Sequence, residues 1–150
     1  MRLLVLCTHN SARSQMAEGW LRYYAGQHGL EAEIYSAGSE RTRVKPEAIT
    51  VMQEVGIDLS EHYSKCLDEL PDAMNMDVVL TVCDSANERC PLYPSSTSRL
   101  HVSFPDPSDQ GLPRWREVRD ALGVMAERLV VALQQGEDVQ TLALEPQLPA

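Results

Sequence analysis

Apolar positions follow two alternating rhythms along this chain. Residues 2–6 and 77–82 are short, continuous apolar runs, the pattern of strands covered on both faces. Residues 33–36, closing on Ala37-Gly38-Ser39, predict another strand, and 100–104 predict a weaker fourth. Between these runs the spacing changes to three and four. Met16, Trp20, Leu21 and Tyr24 place a helix over 14–29, ending near Gly26 and Gly29. Pro46 opens a second helix, with Ala48, Ile49, Met52 and Val55 on one face and Gly56 as its stop. A short helical piece is expected over 64–70, ahead of Pro71. Val118, Leu122, Met125, Leu129 and Ala132 draw a long amphipathic helix over 114–135.

Strands alternating with helices predict an α/β fold, a doubly wound four-stranded parallel sheet with helices on both faces. The expected organisation is a single catalytic domain over 1–136. The polar, Pro-containing stretch 137–150 reads as a loosely held C-terminal tail. In such sheets ligands sit beyond the carboxyl ends of the strands, where strand order reverses. Cys7 ends the first strand, Cys83 follows the third and Asp106 follows the fourth. Three side chains capable of chemistry are thus predicted at one edge.

Composition narrows the partners. The formal charge of the 150 residues is -9, and the basic residues form no stripe, so neither nucleic acid nor an anionic membrane is an expected partner. Any small anion must be held by local donors. No apolar stretch reaches a membrane-spanning length, and the opening apolar run is read as a first strand. The expected location is the cytoplasm. In that reducing setting the four cysteines, Cys7, Cys66, Cys83 and Cys90, are not a disulfide framework. Their spacing lacks the close pair of a zinc site, so no metal is expected. Burial without chemistry is expected of Cys66.

The informative segment is Cys7-Thr8-His9-Asn10-Ser11-Ala12-Arg13-Ser14, between a strand and a helix. A loop placed there turns backbone N–H groups inward as a nest for a tetrahedral anion, and the helix N-terminus adds positive potential. Arg13 offers a planar fork to two oxygens. This field is expected to lower the pKa of Cys7 and make it a nucleophile. Ser14 is placed to donate to the sulfur, and Asn10 tolerates left-handed backbone. The side chain of His9 is expected to point outward.

The stretch from Val5 to Trp20 resembles the amino-terminal signature of the thioredoxin-coupled arsenate reductases, which share the fold of the low-molecular-weight protein tyrosine phosphatases. The similarity continues through Ser36-Ala37-Gly38, His62-Tyr63-Ser64-Lys65, Thr81-Val82-Cys83, Cys90-Pro91 and Phe104-Pro105-Asp106-Pro107. It implies reduction of arsenate to arsenite, with Cys7 as nucleophile and Arg13 with the loop as oxyanion clamp. It further implies Asp106 as general acid and Cys83 with Cys90 as a redox pair regenerated by thioredoxin. Phosphate and sulfate would compete with arsenate, and a monomer without bound cofactor is expected.

A phosphatase of the same fold is the alternative, because both activities begin with Cys7 attacking a bound oxyanion. A non-enzymatic redox sensor is a more distant one. Against the phosphatase, Ser108 and Asp109 stand after Asp106-Pro107 where aromatic residues would stack on phosphotyrosine. Some family members hold potassium through equivalents of Asn10, Glu18, Ser36 and an acidic residue. The last place is Lys65 here, and its ammonium is expected to pair with Glu18 in the cation's stead. One geometric demand follows from the redox pair. Were 83–90 helical, the two cysteines would stand roughly 10 Å apart, whereas a disulfide needs Cα atoms within about 4.4–6.8 Å. The segment must therefore unwind.

Overall fold

The structure is a computed structural model that describes residues 1–146 and 148. Four parallel strands, β1 (Arg2–Leu6), β2 (Glu33–Ala37), β3 (Val78–Thr81) and β4 (Ser98–His101), form one sheet in the order β2-β1-β3-β4. Four helices accompany them: α1 (Arg13–His28), α2 (Pro46–Gln53), α3 (Asp84–Arg89) and α4 (Leu112–Gln134). The chain leaves β1 toward β2, then returns past β1 to β3 and β4. With right-handed crossovers, that reversal puts α1 and α3 on opposite faces, the doubly wound arrangement.

The inner strands are buried as their composition requires. Leu3 to Leu6 of β1 and all of β3 are inaccessible. On the α1 face, α1 and α4 pack along each other. A Cβ at Gly123 of α4 would stand 2.9 Å from the Trp20 ring, so this crossing requires glycine. The Trp20 indole donates to the Arg119 carbonyl at 2.9 Å. The buried Arg119 guanidinium in turn reaches the Val51 carbonyl and Glu54, tying α4 to the end of α2.

Several boundaries differ from those the sequence predicts. The fourth strand spans Ser98–His101 rather than 100–104. Val102 and Phe104 still donate to Thr81 and Val82, so the chain runs beside β3 after regular pairing stops. The piece expected over 64–70 reduces to a 3-10 turn, Leu67–Glu69. Cys66, ahead of that turn, is half-buried where burial was expected. Beyond Gly136, where a loose tail was expected, a second 3-10 turn (Val139–Thr141) places Val139 and Leu144 in the core. Two apolar side chains in a polar stretch suffice to anchor it. Residues 147, 149 and 150 lie outside the described residues. Among the described residues, no helix is long and apolar enough to cross a membrane.

Candidate active site

The loop between β1 and α1 is held from outside by its own carbonyls. Thr8 C=O accepts from the Ser39 and Glu40 amides, and His9 C=O from the Ser64 hydroxyl at 2.7 Å. Asn10 C=O accepts from Gln15 Nε2, and Ser11 C=O from the Lys45 amide at 2.8 Å. A planar peptide directs its N–H opposite its C=O. Carbonyls drawn outward therefore leave the amides of the following residues for the interior, a nest for an anion. Asn10 takes the left-handed turn at φ 50°. Its side chain, fully buried, donates to Ser14 Oγ and Ser36 Oγ and accepts from Gln15 and the Lys65 amide. Gly38 permits this closure, since a Cβ there would lie 2.5 Å from the Thr8 oxygen.

A small cavity opens inside the loop, lined by Cys7, His9, Ser11, Ala12, Arg13, Lys45, Asp106 and Ser108. Arg13 Nη1 donates to the Phe104 carbonyl at 2.7 Å, fixing the guanidinium against the segment that carries Asp106. Asp106 Oδ1 accepts from the Ser108 amide at 3.0 Å. Burial opposes its ionisation, yet Ser108, Arg13 and Lys45 hold the carboxyl below its ordinary pKa. It is ionised at neutral pH while the loop is empty, and must take up a proton to act as an acid. A bound anion supplies the like charge that raises it.

The sequence-predicted residues divide within this geometry. Cys7, Arg13 and Asp106 meet at the cavity. His9 contributes to its wall, though its ring turns outward to Glu40 at 3.0 Å. Asn10 and Ser14 brace the loop from behind. The Ser14 hydroxyl, expected to donate to the Cys7 sulfur, instead accepts from Asn10 Nδ2 at 2.9 Å. Thr8 Oγ1 lies 3.5 Å from Cys83 Sγ. Lys45 and Gln15 contribute roles that no motif signalled.

Cys83 lies beside Cys7. The two buried thiols follow neighbouring strands, and their proximity changes the ionisation that the loop by itself predicts. Interaction with the Cys7 thiol draws Cys83 down to about 5, against burial. Interaction with Cys83, together with burial, raises Cys7, although Arg13 and the Thr8 amide pull the other way. The pair therefore loses one proton early and keeps the second.

Cys90 closes α3, and burial raises its thiol. A cavity of about 120 Å³ lies between it and Cys7, walled also by Leu6, Gly38, Ala86 and Pro91. The helix between Cys83 and Cys90 has six residues, buries Ala86 and is tethered at its ends. Asp84 accepts from His101 at 2.9 Å, and Arg99 donates to the Asn87 carbonyl at 2.7 Å.

The model of the low molecular weight phosphotyrosine protein phosphatase family matches residues 2–140. The chain belongs to this family. Within it, the chain is 42% identical to arsenate reductase 2 of Staphylococcus saprophyticus over 79% of its own length and 87% of the relative's. It is 40% identical to an arsenate reductase of Brevibacillus brevis over 82% and 89% of the two chains. Among solved structures, an arsenate reductase in its oxidised state superposes with TM-score 0.76 at 32% identity, covering 88% and 98%. A low molecular weight protein tyrosine phosphatase from T. tengcongensis reaches TM-score 0.76 at 27% identity, covering 87% and 98%.

Potassium-type coordination does not fit this chain. Glu18, Ser36 and Asn10 come together, but Arg22 lies 3.0 Å and Lys65 3.8 Å from the Glu18 carboxylate. No buried side-chain nitrogen or oxygen lacks a partner among the described residues. Cys66, Asp68 and Glu69 bring three possible ligand atoms within 4.8 Å. They lie on a surface turn where Glu69 pairs with Arg41 and accepts from the Cys66 amide.

Proposed function

We propose that the protein reduces arsenate to arsenite by a relay through Cys7, Cys83 and Cys90. The observation that carries this reading is the placement of Cys83, a second buried thiol set beside Cys7 where β1 and β3 end and 3.5 Å from Thr8 Oγ1. Hydrolysis requires water at the Cys7 adduct, whereas reduction requires a second thiolate at the Cys7 sulfur. The side chain beside that sulfur is a thiol whose pKa is drawn down by its surroundings.

In the first step arsenate enters the loop, its oxygens held by the amides of residues 8–14 and the Arg13 fork. The Cys7 thiolate attacks arsenic, and Asp106 protonates the departing hydroxide as water. Cys83, which holds the proton given up by Cys7, loses it to water once the adduct has removed the neighbouring charge, and its thiolate attacks Cys7 Sγ. A Cys7–Cys83 disulfide forms, the sulfur–arsenic bond breaks, and its electron pair reduces arsenic to the trivalent arsenite that leaves. Cys90, as thiolate, attacks Cys83 and releases Cys7. The resulting Cys83–Cys90 disulfide is returned to two thiols by an external dithiol, for which the family resemblance supports thioredoxin. Closure of this last bond requires α3 to unwind, which also exposes Cys90 and relieves the burial that raises its thiol. A six-residue helix is below the length that is stable without tertiary support.

The expected setting is a cytoplasmic monomer with no resident cofactor, for which phosphate and sulfate are competing anions. Phosphate-ester hydrolysis is the second reading, favoured by Asp106 meeting Cys7 and Arg13 in one cavity. The test is thioredoxin-coupled arsenate turnover measured beside aryl phosphate hydrolysis for native protein and Cys83→Ser. Loss of arsenate turnover with hydrolysis retained supports the relay. Native protein that hydrolyses the ester but leaves arsenate unreduced makes this a phosphatase.

A further inference from the structure

Lys45 stands just before α2, in a segment no motif singled out, yet it lines the oxyanion cavity with Cys7, Arg13 and Asp106. Two segments fix it there. Its amide donates to the Ser11 carbonyl of the loop at 2.8 Å. Its ammonium donates to Ser108 Oγ at 2.7 Å. Ser108 in turn donates its amide to Asp106. The half-buried ammonium is thus held at the cavity wall opposite the loop and not left to wander on a flexible stem.

We infer that Lys45 is a second cationic ligand for the tetrahedral oxyanion, sharing with Arg13 the charge of the bound substrate. The charges lining the cavity support this. Asp106 contributes one negative charge and Cys7 a second when it attacks as thiolate, and Arg13 offsets one. Without Lys45 the site would carry a net negative charge in a protein of formal charge -9 and would repel the anion it must bind. With Lys45 the lining is neutral before the loop amides are counted. An ammonium is a compact point charge, suited to an oxygen that the guanidinium fork leaves uncovered. Its bond to Ser108 lies next to Asp106, the group that must be protonated in the reaction. Ligand binding and the acid are therefore joined through one residue, Ser108.

The inference rests on the loop being an oxyanion site and not on which chemistry follows capture. It is tested by calorimetric binding of inorganic phosphate to native protein, Lys45→Gln and Lys45→Arg, with unfolding temperatures measured alongside. Glutamine can keep the hydrogen bond to Ser108 but carries no charge, while arginine keeps the charge. Loss of a charge-assisted contact predicts phosphate affinity about tenfold weaker in Lys45→Gln and close to native in Lys45→Arg. The arsenate KM should rise with kcat less affected, a split that loop collapse would not produce. Native phosphate affinity in a folded Lys45→Gln overturns the inference. If that variant does not fold, Lys45→Met is read by the same criterion. A protein that binds phosphate in this lysine-dependent way but does not reduce arsenate leaves the inference standing and removes the reductase reading.

Discussion

Gly38 shows how much of this site depends on one absent methyl group. The residue follows β2, and an added Cβ would meet the Thr8 oxygen at 2.5 Å, the Asn10 nitrogen at 2.9 Å and the Cys7 oxygen at 3.0 Å. All three are backbone atoms of the oxyanion loop, so no side-chain rotation relieves the contact. Gly38→Ala should displace the loop and weaken phosphate binding and arsenate turnover by at least about tenfold, with overpacking costing about 1–3 kcal/mol of stability. Calorimetric phosphate titration and thermal unfolding check it. Native affinity with unchanged stability would show that the loop is softer than its bonding implies. Cys83 is the second residue that decides chemistry. Its position after β3 is legible in the chain, but its contact with Cys7 is not.

At the scale of elements, α1, β2 and the loop before the first 3-10 turn converge on Glu18. Ser36 and Asn10 form a hydrogen-bonded chain to it, and His62 bonds Gln15, which bonds Asn10. Burial lowers the pKa of Lys65, while Glu18 opposes that shift. Arg22 and Lys65 supply the positive charge from within the chain. Potassium added at constant ionic strength should therefore leave arsenate turnover unchanged, measured by the thioredoxin-coupled rate. Activation of several fold would contradict the account. The pairing of Lys65 with Glu18 follows from the family pattern, whereas the closer Arg22, one helical turn after Glu18, gave no signal beyond ordinary surface spacing.

The elements themselves were legible where hydrophobic period is long or continuous. Both inner strands, α1 and α4 follow directly from it. The fourth strand was displaced because Val102 and Phe104 are apolar for packing beside β3, not for regular pairing. In the chain after Gly136 a polar average hides two apolar residues, Val139 and Leu144, that are buried. Helix α3 is short and polar, so its period carries little weight. Its importance comes from the cysteines that flank it, which the spacing did reveal. Lys45 escaped notice since a lysine before a helix-opening proline reads as ordinary surface.

The whole molecule sets a strongly acidic chain around a small cavity whose positive groups are fixed by backbone and hydroxyl partners. The sheet brings the ends of β1 and β3 together, and with them Cys7 and Cys83. The segment after β4 adds Asp106 from a third direction. The α1–α4 layer makes the rigid face of the protein, while α3, on the opposite face, is the element that must yield if Cys90 is to reach Cys83. A fold that captures an oxyanion thereby becomes one able to pass two electrons outward, with the sheet fixed and one short helix rearranging.

That claim is tested most directly by a single turnover with arsenate and no external reductant, followed by acid quench, thiol alkylation and mass mapping of the cysteine peptides. The relay yields a Cys83–Cys90 disulfide, alkylated Cys7 and Cys66, and one arsenite released per chain. It also predicts a Cys7–Cys83 disulfide accumulating in Cys90→Ser. Alkylation of all four cysteines with arsenate left unreduced, or a disulfide that excludes Cys83, would contradict it.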